Sequence, residues 1–91
     1  MFEWDEAKRR RNLAKHGVDF ETVWELDWGK AVQRTDARRN YGEVRYVALV
    51  YIGGQLYSCA YTERDGARRI ISLRKASRKE RGYYEEEIFD D

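Results

Sequence analysis

The sequence of 91 residues contains one cysteine, one histidine and no proline. A lone cysteine excludes an intrachain disulfide and favours a reducing compartment, so we expect a cytoplasmic protein. One histidine and one cysteine are also too few for a zinc site with the usual ligands, and no acidic residues follow the spacing of a calcium-binding loop. No glycine-rich segment opens a helix in the way that nucleotide-binding loops do. We therefore expect neither a metal nor a cofactor.

Long apolar runs are absent as well. Charged residues make up 38% of the chain, and no apolar run approaches the roughly 18 residues of a membrane-spanning helix. The first five residues lack the basic and apolar regions of a signal peptide, so we expect no association with a membrane. The length fits one domain over residues 1–91, with an acidic tail at about residues 85–91.

The net charge of +1 conceals separated charges. Residues 8–15 contain five basic residues and no acidic one, and residues 64–81 contain eight basic residues against two acidic ones. Residues 82–91 then contain five acidic residues and no basic one. This separation indicates a basic surface for a polyanion and an acidic end for another contact. The alternative from composition is a charged surface that interacts only with solvent.

Two helices are predicted near the start of the chain. Asp5 is expected to cap the first helix, which Gly17 ends, and Asp19 is expected to cap a second, short helix. The second helix carries apolar residues on one side, namely Phe20, Val23 and Trp24.

The middle of the chain has the two-residue alternation of β-strands. We expect four strands, at residues 31–35, 44–52, 56–62 and 68–74, with a loop at residues 38–42. Gly53-Gly54 and Asp65-Gly66 supply tight turns between the last three of these strands. The sequence therefore predicts an antiparallel sheet of four strands.

A third helix is predicted after the sheet. Ser77 and Glu80 have the spacing of a capping box, and the helix that follows carries Tyr84 and Ile88, which can dock on the sheet. The overall prediction is an α+β fold with two N-terminal helices, a four-stranded antiparallel sheet and a C-terminal helix. We expect the helices to gather on one face of the sheet.

The alternation also assigns side chains to the two faces of the sheet. The apolar residues of the second strand should meet the helices: Val44, Tyr46, Ala48, Val50 and Ile52. Ile71 and Leu73 of the last strand should point to the same core. The opposite face would then be rich in arginine, with Arg45, Arg68, Ile70, Ser72 and Arg74. Guanidinium groups match phosphate oxygens, so this open face is expected to bind a polyanion, while Tyr57 and Tyr61 either stack on bases there or belong to the core.

Metal-independent RNA cleavage fits the ionisable residues of this chain. It needs a base for the ribose 2′-hydroxyl, cations for the phosphorane and an acid for the leaving 5′-oxygen. His16 is the one side chain that ordinarily titrates near neutrality, and Glu63 precedes a turn at a strand end. The alternatives are a histidine that favours the helix dipole and a solvated carboxylate. A nucleophilic pair of Cys59 and His16 is disfavoured, because Cys59 lies inside an expected strand.

Two blocks of the chain resemble the BrnT toxin family. The first block is FEWDEAK at residues 2–8 with NLAKHGVDF at residues 12–20. The second block is YTER at residues 61–64, RIISLRKA at residues 69–76 and KER at residues 79–81. The similarity extends over about residues 2–84, and the two blocks stand in the order expected for the family.

This resemblance implies a RelE-like, microbial-ribonuclease-type fold and cleavage of RNA without a metal. It also implies neutralisation in a hetero-oligomer by a BrnA-type antitoxin with a ribbon-helix-helix part, so that operator DNA is bound only through the antitoxin. The resemblance indicates that the residues most worth testing for a role in the site are Arg74, Ser72, Arg69, Lys75 and His16. Strand alternation, however, places Arg69 with Ile71 and Leu73 toward the core. Leu73 also stands where the family pattern leads us to expect a smaller residue.

The resulting prediction is a ribonuclease toxin of a type II toxin-antitoxin pair. The catalytic candidates are Arg74, Glu63, His16, Ser72 and Arg69. The RNA-binding candidates are Arg68, Lys75, Arg64 and Arg45. The alternative is a non-catalytic module that binds RNA or a protein through the same basic sheet face. In a third interpretation the basic strip serves only to dock the antitoxin.

Overall fold

The computed structural model of the protein describes residues 1–37 and 42–89. Its strands and α-helices are, in chain order, β1 (Phe2–Trp4), α1 (Glu6–His16), β2 (Val32–Thr35), β3 (Tyr46–Ile52), β4 (Gln55–Arg64), β5 (Ala67–Lys75) and α2 (Arg78–Phe89). The 3-10 helices Phe20–Glu25 and Trp28–Lys30 lie between α1 and β2. The α+β class is thus confirmed. The predicted loop at residues 38–42 lies, apart from Gly42, outside the described residues, as do residues 90–91 of the acidic tail.

The first helix forms where its capping residues predict it. The Asp5 carboxylate accepts a hydrogen bond from the backbone N–H of Ala7 at 2.9 Å. Gly17 ends the helix in the left-handed conformation, with φ of 71°. Asp19 caps the next segment through the Glu21 N–H at 3.0 Å, but that segment is a 3-10 helix rather than an α-helix.

The sheet contains five strands in the order β1-β5-β4-β3-β2. The last four strands along the chain pair in antiparallel fashion, as predicted, whereas β1 pairs in parallel with β5. The prediction of four strands in a purely antiparallel sheet is therefore wrong. The missed strand has three residues, too few to show an alternation, and it forms because Phe2 and Trp4 pack into the core beside β5.

Both faces of the sheet carry helices, so the prediction that all helices gather on one face is wrong. The first face packs against α1 and the long 3-10 helix, and its core includes Phe20, Val23, Ala48, Val50 and Cys59. The second face packs against α2, and its core consists of Leu49, Leu56, Ala76 and Tyr84. Neighbouring residues of a strand point to opposite faces, so Leu49 and Val50 belong to different cores. The apolar side chains on both sides of β3 explain why α2 docks opposite α1.

A β-bulge at Ile71 interrupts the alternation of β5. Tyr61 lies opposite Ile70, but the next pair along the strands is Ala60 opposite Ser72. Ile71 therefore has no direct partner on β4, and the side chains on either side of it change face.

This bulge corrects the predicted faces of β5. The first face receives Arg68, Ile70 and Leu73. The second face receives Arg69, Ser72 and Arg74. The predictions for Leu73, Ser72 and Arg74 hold, whereas Arg68 and Ile70 were placed on the wrong face because unbroken alternation was assumed. The same bulge frees Arg69 from the core side and brings it to the face of Arg74.

Asn12 joins α1 to the edge of the sheet. β1 covers β5 only as far as Ile70, and beyond that point the backbone of β5 bonds to Asn12. The Asn12 amide donates to the Leu73 carbonyl at 2.6 Å and to the Val18 carbonyl at 3.0 Å, and its oxygen accepts from the Leu73 N–H at 3.1 Å. These bonds satisfy the backbone N–H and carbonyl of Leu73 at the edge of the sheet, and they fix α1 beside the bulge.

The second helix begins with the predicted capping box. The Ser77 N–H donates to the Glu80 carboxylate at 2.8 Å, and the Glu80 N–H donates to the Ser77 hydroxyl at 3.1 Å. Tyr84 is buried on the second face, and its hydroxyl donates to the Lys30 carbonyl at 2.9 Å. Among the described residues, neither helix is long and apolar enough to cross a membrane.

Three apolar residues that were predicted to pack in the core are exposed: Trp24, Val44 and Ile88. The 3-10 helix repeats every three residues, so Phe20 and Val23 share its buried side and Trp24 does not. Val44 precedes the first residue of β3, and Ile88 lies near the end of α2. The error at Trp24 comes from assuming α-helical spacing in a 3-10 helix, and the error at Val44 comes from extending the strand pattern to residues before β3.

Candidate active site

A pocket with a volume of about 470 Å³ opens on the second face of the sheet, next to the start of α2. Its floor consists of Val47, Ser58 and Ala60 from β3 and β4. Leu56, further along β4, is covered by α2, whereas Ser58 and Ala60 have small side chains on the same face. The helix therefore closes one end of the second face and leaves the other end open.

The polar wall of the pocket comes from three elements. Arg34 belongs to β2, Ser72 and Arg74 belong to β5, and Glu80 belongs to α2. Because β3 and β4 separate β2 from β5, Arg34 and Arg74 stand on opposite sides of the opening. Thr35, the last residue of β2, and the two residues after it complete the lining.

Arg74 and Glu80 form a bidentate ion pair in this wall. The two terminal nitrogens of Arg74 donate to the two carboxylate oxygens of Glu80 at 2.7 and 3.0 Å. Burial raises the pKa of the Glu80 carboxyl, but the hydrogen bonds from Arg74 and from Ser77 outweigh it and lower that pKa to about 2. Glu80 is therefore ionised at neutral pH and orients the guanidinium. The Arg74 side chain stays 39% exposed, so an anion can still reach it from solvent.

Arg34 supplies a second guanidinium. Its central carbon lies 5.0 Å from the ring centroid of Tyr83 on α2, in a cation–π contact that orients the side chain. Ser58 in the floor and Ser72 in the wall add two hydroxyl side chains to the lining of the pocket. Two arginines and two hydroxyls around one opening provide the donors that a phosphate group needs.

His16 lies beside the pocket rather than inside it. As the last residue of α1 it lines a neighbouring groove, and Ser72 lines both the groove and the pocket. Burial lowers the pKa of the His16 imidazole, and the positive charges of Lys15 and Arg74 lower it further. A histidine of this kind is neutral at neutral pH and can accept a proton.

The structure does not bring Arg68 and Glu63 together with Arg74. The Arg68 guanidinium lies on the first face, 4.5 Å from the ring centroid of Trp28 and 5.2 Å from that of Tyr61. Glu63 is the register partner of Arg68 on β4 and is exposed there. Tyr61 is buried in the core of the first face, which decides against the base-stacking alternative for its ring.

The other predicted basic residues also lie outside the pocket: Arg69, Arg64, Lys75 and Arg45. Arg69 shares the second face with Arg74, but it donates to the Glu3 carboxylate of β1 at 2.7 Å. Arg64 pairs with a carboxylate in the segment before β3 at 3.1 Å. Lys75 is exposed at the end of β5, and Arg45 is half-buried just before β3.

Cys59 is unsuited to act as a nucleophile. It is fully buried in the core of the first face, and burial raises the pKa of its thiol to about 12. A neutral, enclosed thiol cannot form the pair with His16 that the sequence analysis disfavoured. Within residues 1–37 and 42–89, no group of three or more His, Cys, Asp or Glu side chains is placed to hold a metal ion.

Arg34, Ser58 and Glu80 are among the pocket residues that the sequence did not indicate. Glu80 was interpreted only as part of a capping box, although its carboxylate also reaches Arg74. Ser58 and Ala60 lie on one face of β4, and two small side chains on one face are a signal for an opening above them. Arg34 lies in a strand of four residues, whose faces are hard to assign without its pairing partner.

Comparison with known protein families gives a match over most of the chain. The model of a family described as "Ribonuclease toxin, BrnT, of type II toxin-antitoxin system" matches residues 4–80. This range contains α1 and all of the residues that line the pocket. A comparison with curated proteins gave no match.

Proposed function

The chain belongs to the BrnT family of ribonuclease toxins of type II toxin-antitoxin systems, and on this basis we propose that it cleaves RNA without a metal ion in the pocket of the second face. The observation that supports this location is the bidentate pair of Arg74 and Glu80, which holds an arginine fork across the opening from Arg34. Glu80 orients the guanidinium in this pair, and the remaining N–H groups of Arg74 can donate to a phosphodiester that enters the pocket.

Arg74 and Arg34 are proposed to bind the scissile phosphate, and the Ser72 and Ser58 hydroxyls to donate to its oxygens. Negative charge grows on the phosphate oxygens as the phosphorane forms. Guanidinium groups that are already oriented stabilise that charge without reorganisation, so they lower the barrier rather than merely binding the substrate. Glu80 acts through Arg74 and is a positioning residue.

His16 is proposed to accept the proton of the ribose 2′-hydroxyl. The 2′-oxygen then attacks phosphorus, the bond to the 5′-oxygen breaks with its electron pair on that oxygen, and the oxygen takes a proton from water. The products are a 2′,3′-cyclic phosphate and a 5′-hydroxyl. The lowered pKa of His16 and the electrostatic effect of Arg74 on it support this role. Glu63, the other candidate base, is exposed on the first face, and this argues against it.

A type II toxin implies a protein antitoxin. We propose that this partner is of the BrnA type, that it forms a hetero-oligomer with the toxin, and that only its ribbon-helix-helix part contacts operator DNA. We further propose that the toxin acts on RNA in the cytoplasm. Coexpression with a BrnA-type protein should give a complex that survives purification and no longer cleaves RNA. Separate elution of the two chains would contradict this choice of antitoxin.

The direct test of the proposed reaction is incubation of the antitoxin-free protein with RNA in excess EDTA. Products that end in 2′,3′-cyclic phosphate, made by the wild type and lost with Arg74→Ala, are the expected result. The Arg74→Ala protein should retain a cooperative unfolding transition. Intact RNA from a folded wild type would overturn the proposal. Salt-sensitive binding of that RNA would then favour the non-catalytic module.

A further inference from the structure

A second basic groove lies beside the pocket, where α1 crosses β5. It has a volume of about 340 Å³ and is lined around Asn12 by Lys8, Arg11, Lys15, His16, Ile71 and Ser72. The bulge at Ile71 and the bonds from Asn12 to the backbone of β5 hold α1 at this edge. The groove is therefore built by the same contacts that fix α1 on the sheet.

The long side chains of the groove carry positive charge. Lys8, Arg11 and Lys15 recur at intervals of three and four residues, so they lie on one side of α1. Arg9 turns to the other side, where it bonds to two carboxylates at 2.6 and 2.9 Å. Within the described part of the chain, no ion pair joins Lys8, Arg11 or Lys15 to a carboxylate.

The groove adjoins the pocket of the second face at Ser72. Ser72 lines both of them, so a chain that leaves the pocket past Ser72 enters the groove. The charges of Lys15, in the groove, and of Arg74, in the pocket, both act on His16 between them. The two openings therefore form one positively charged track over the bulge of β5.

We propose that the groove on α1 binds a second phosphate of the RNA strand whose scissile phosphate lies in the pocket. This inference rests on the proposed function of the pocket. Lysine and arginine side chains that lack carboxylate partners contact phosphates without selecting a base. The groove thus makes the affinity for RNA depend on the length of the strand and not on its base sequence. The protein therefore binds an extended single strand more tightly than a short one.

The test compares two uncleavable RNAs, a trinucleotide and a ten-nucleotide strand, both with 2′-O-methyl riboses. Affinities are measured by fluorescence anisotropy over a series of salt concentrations. The plot of log affinity against log salt has a negative slope. Each lost phosphate contact should make this slope shallower by about 0.7 and weaken binding about fivefold near 0.1 M salt. For the ten-nucleotide strand we expect part of this loss with Arg11→Gln and the full loss of about fivefold with Arg11→Gln and Lys15→Gln together.

Arg10→Gln is the matched control, because it removes the same charge from the neighbouring position of the same helix. Arg10 is exposed and does not line the groove, so this variant should bind both RNAs within about twofold of the wild type. Thermal unfolding of all variants checks that the fold is retained.

The outcomes separate the groove from the pocket. A larger loss for the long RNA than for the trinucleotide with Arg11→Gln, but not with Arg10→Gln, supports the groove. Wild-type affinity and salt slope in the double variant overturn it, and would leave an acidic protein segment as the occupant to examine. If the wild type binds neither RNA, or if cleavage in EDTA fails, the proposed function itself is overturned and the groove proposal falls with it.

Discussion

Replacing Glu80 with Gln removes the negative charge that holds Arg74 and keeps the shape of the side chain. Gln at this position also fits a capping box, so the hydrogen bond from the Ser77 N–H is retained. The variant therefore separates the contribution of the ion pair from that of the helix cap.

The magnitude follows from the pKa of the Glu80 carboxyl, which folding lowers from 4.5 to about 2. One unit of pKa corresponds to about 1.4 kcal/mol, so the full difference sets an upper limit of about 3.4 kcal/mol. Arg74 is partly exposed, and screening by solvent reduces the expected loss of unfolding free energy to about 1–2 kcal/mol. The melting temperature at neutral pH should fall by about 5–15 °C.

The sign of the pH dependence also follows. The folded-state pKa lies below the unfolded value, so the stabilisation is complete above about pH 4.5 and is lost as the pH falls toward 2. Urea unfolding, followed by tryptophan fluorescence, should show the largest difference between wild type and Glu80→Gln at neutral pH and a smaller one in acid. Glu85→Gln, an exposed change on the same helix, is the control. Equal stability at neutral pH, or a difference that does not shrink in acid, would refute the reasoning.

Three further predictions concern other parts of the molecule. Asn12→Ala leaves the N–H and carbonyl of Leu73 without partners at the sheet edge. The change should lower the free energy of unfolding in urea by about 2–4 kcal/mol, whereas Arg10→Ala should leave it nearly unchanged. A loss below about 1 kcal/mol for Asn12→Ala would contradict this prediction. The Cys59 thiol, buried and with its pKa raised to about 12, should react with an aromatic disulfide reagent only after unfolding, and rapid labelling of the native protein would refute this. His16→Gln should slow RNA cleavage and remove the acid limb of the pH–rate profile. In the wild type this limb lies below pH 6.5, because folding lowers the pKa of His16. An unchanged profile would exclude His16 as the base.

The parts of the fold that the sequence could predict are those fixed by local chemistry. Capping at Asp5 and at Ser77, the end of α1 at Gly17 and the turn at Gly53-Gly54 each depend on residues that are close in the chain. Their signals are independent of tertiary contacts, so they survive in the folded protein.

The parts that could not be predicted depend on pairing between distant segments. Ile71 becomes a bulge only because β4 and β5 shift their register there, and this shift moves Arg68 away from Arg74. The pairing of β1 with β5 joins residues that are more than sixty positions apart. Neither event leaves a pattern in the local sequence.

Only some of the residues that line the pocket were site candidates from the sequence. Arg74 and Ser72 lie in the pocket, and His16 lies beside it. Arg34 reaches the pocket from β2 at the far edge of the sheet, and Glu80 reaches it from α2. No spacing in the sequence indicates that these two residues lie near Arg74. The arginine-rich face that was expected thus divides into a pocket on one side of the sheet and a core contact, that of Arg68, on the other.

The placement of the active site on the second face is tested by comparing Arg74→Gln with Arg68→Gln in the cleavage of a labelled RNA under single-turnover conditions. Both residues belong to β5 and both changes remove one guanidinium, but only Arg74 faces the pocket. With folding verified by thermal unfolding, the account predicts a loss of at least about a hundredfold in the cleavage rate for Arg74→Gln and a rate close to that of the wild type for Arg68→Gln. Equal losses in the two variants, or a loss confined to Arg68→Gln, would contradict the placement of the active site on the second face.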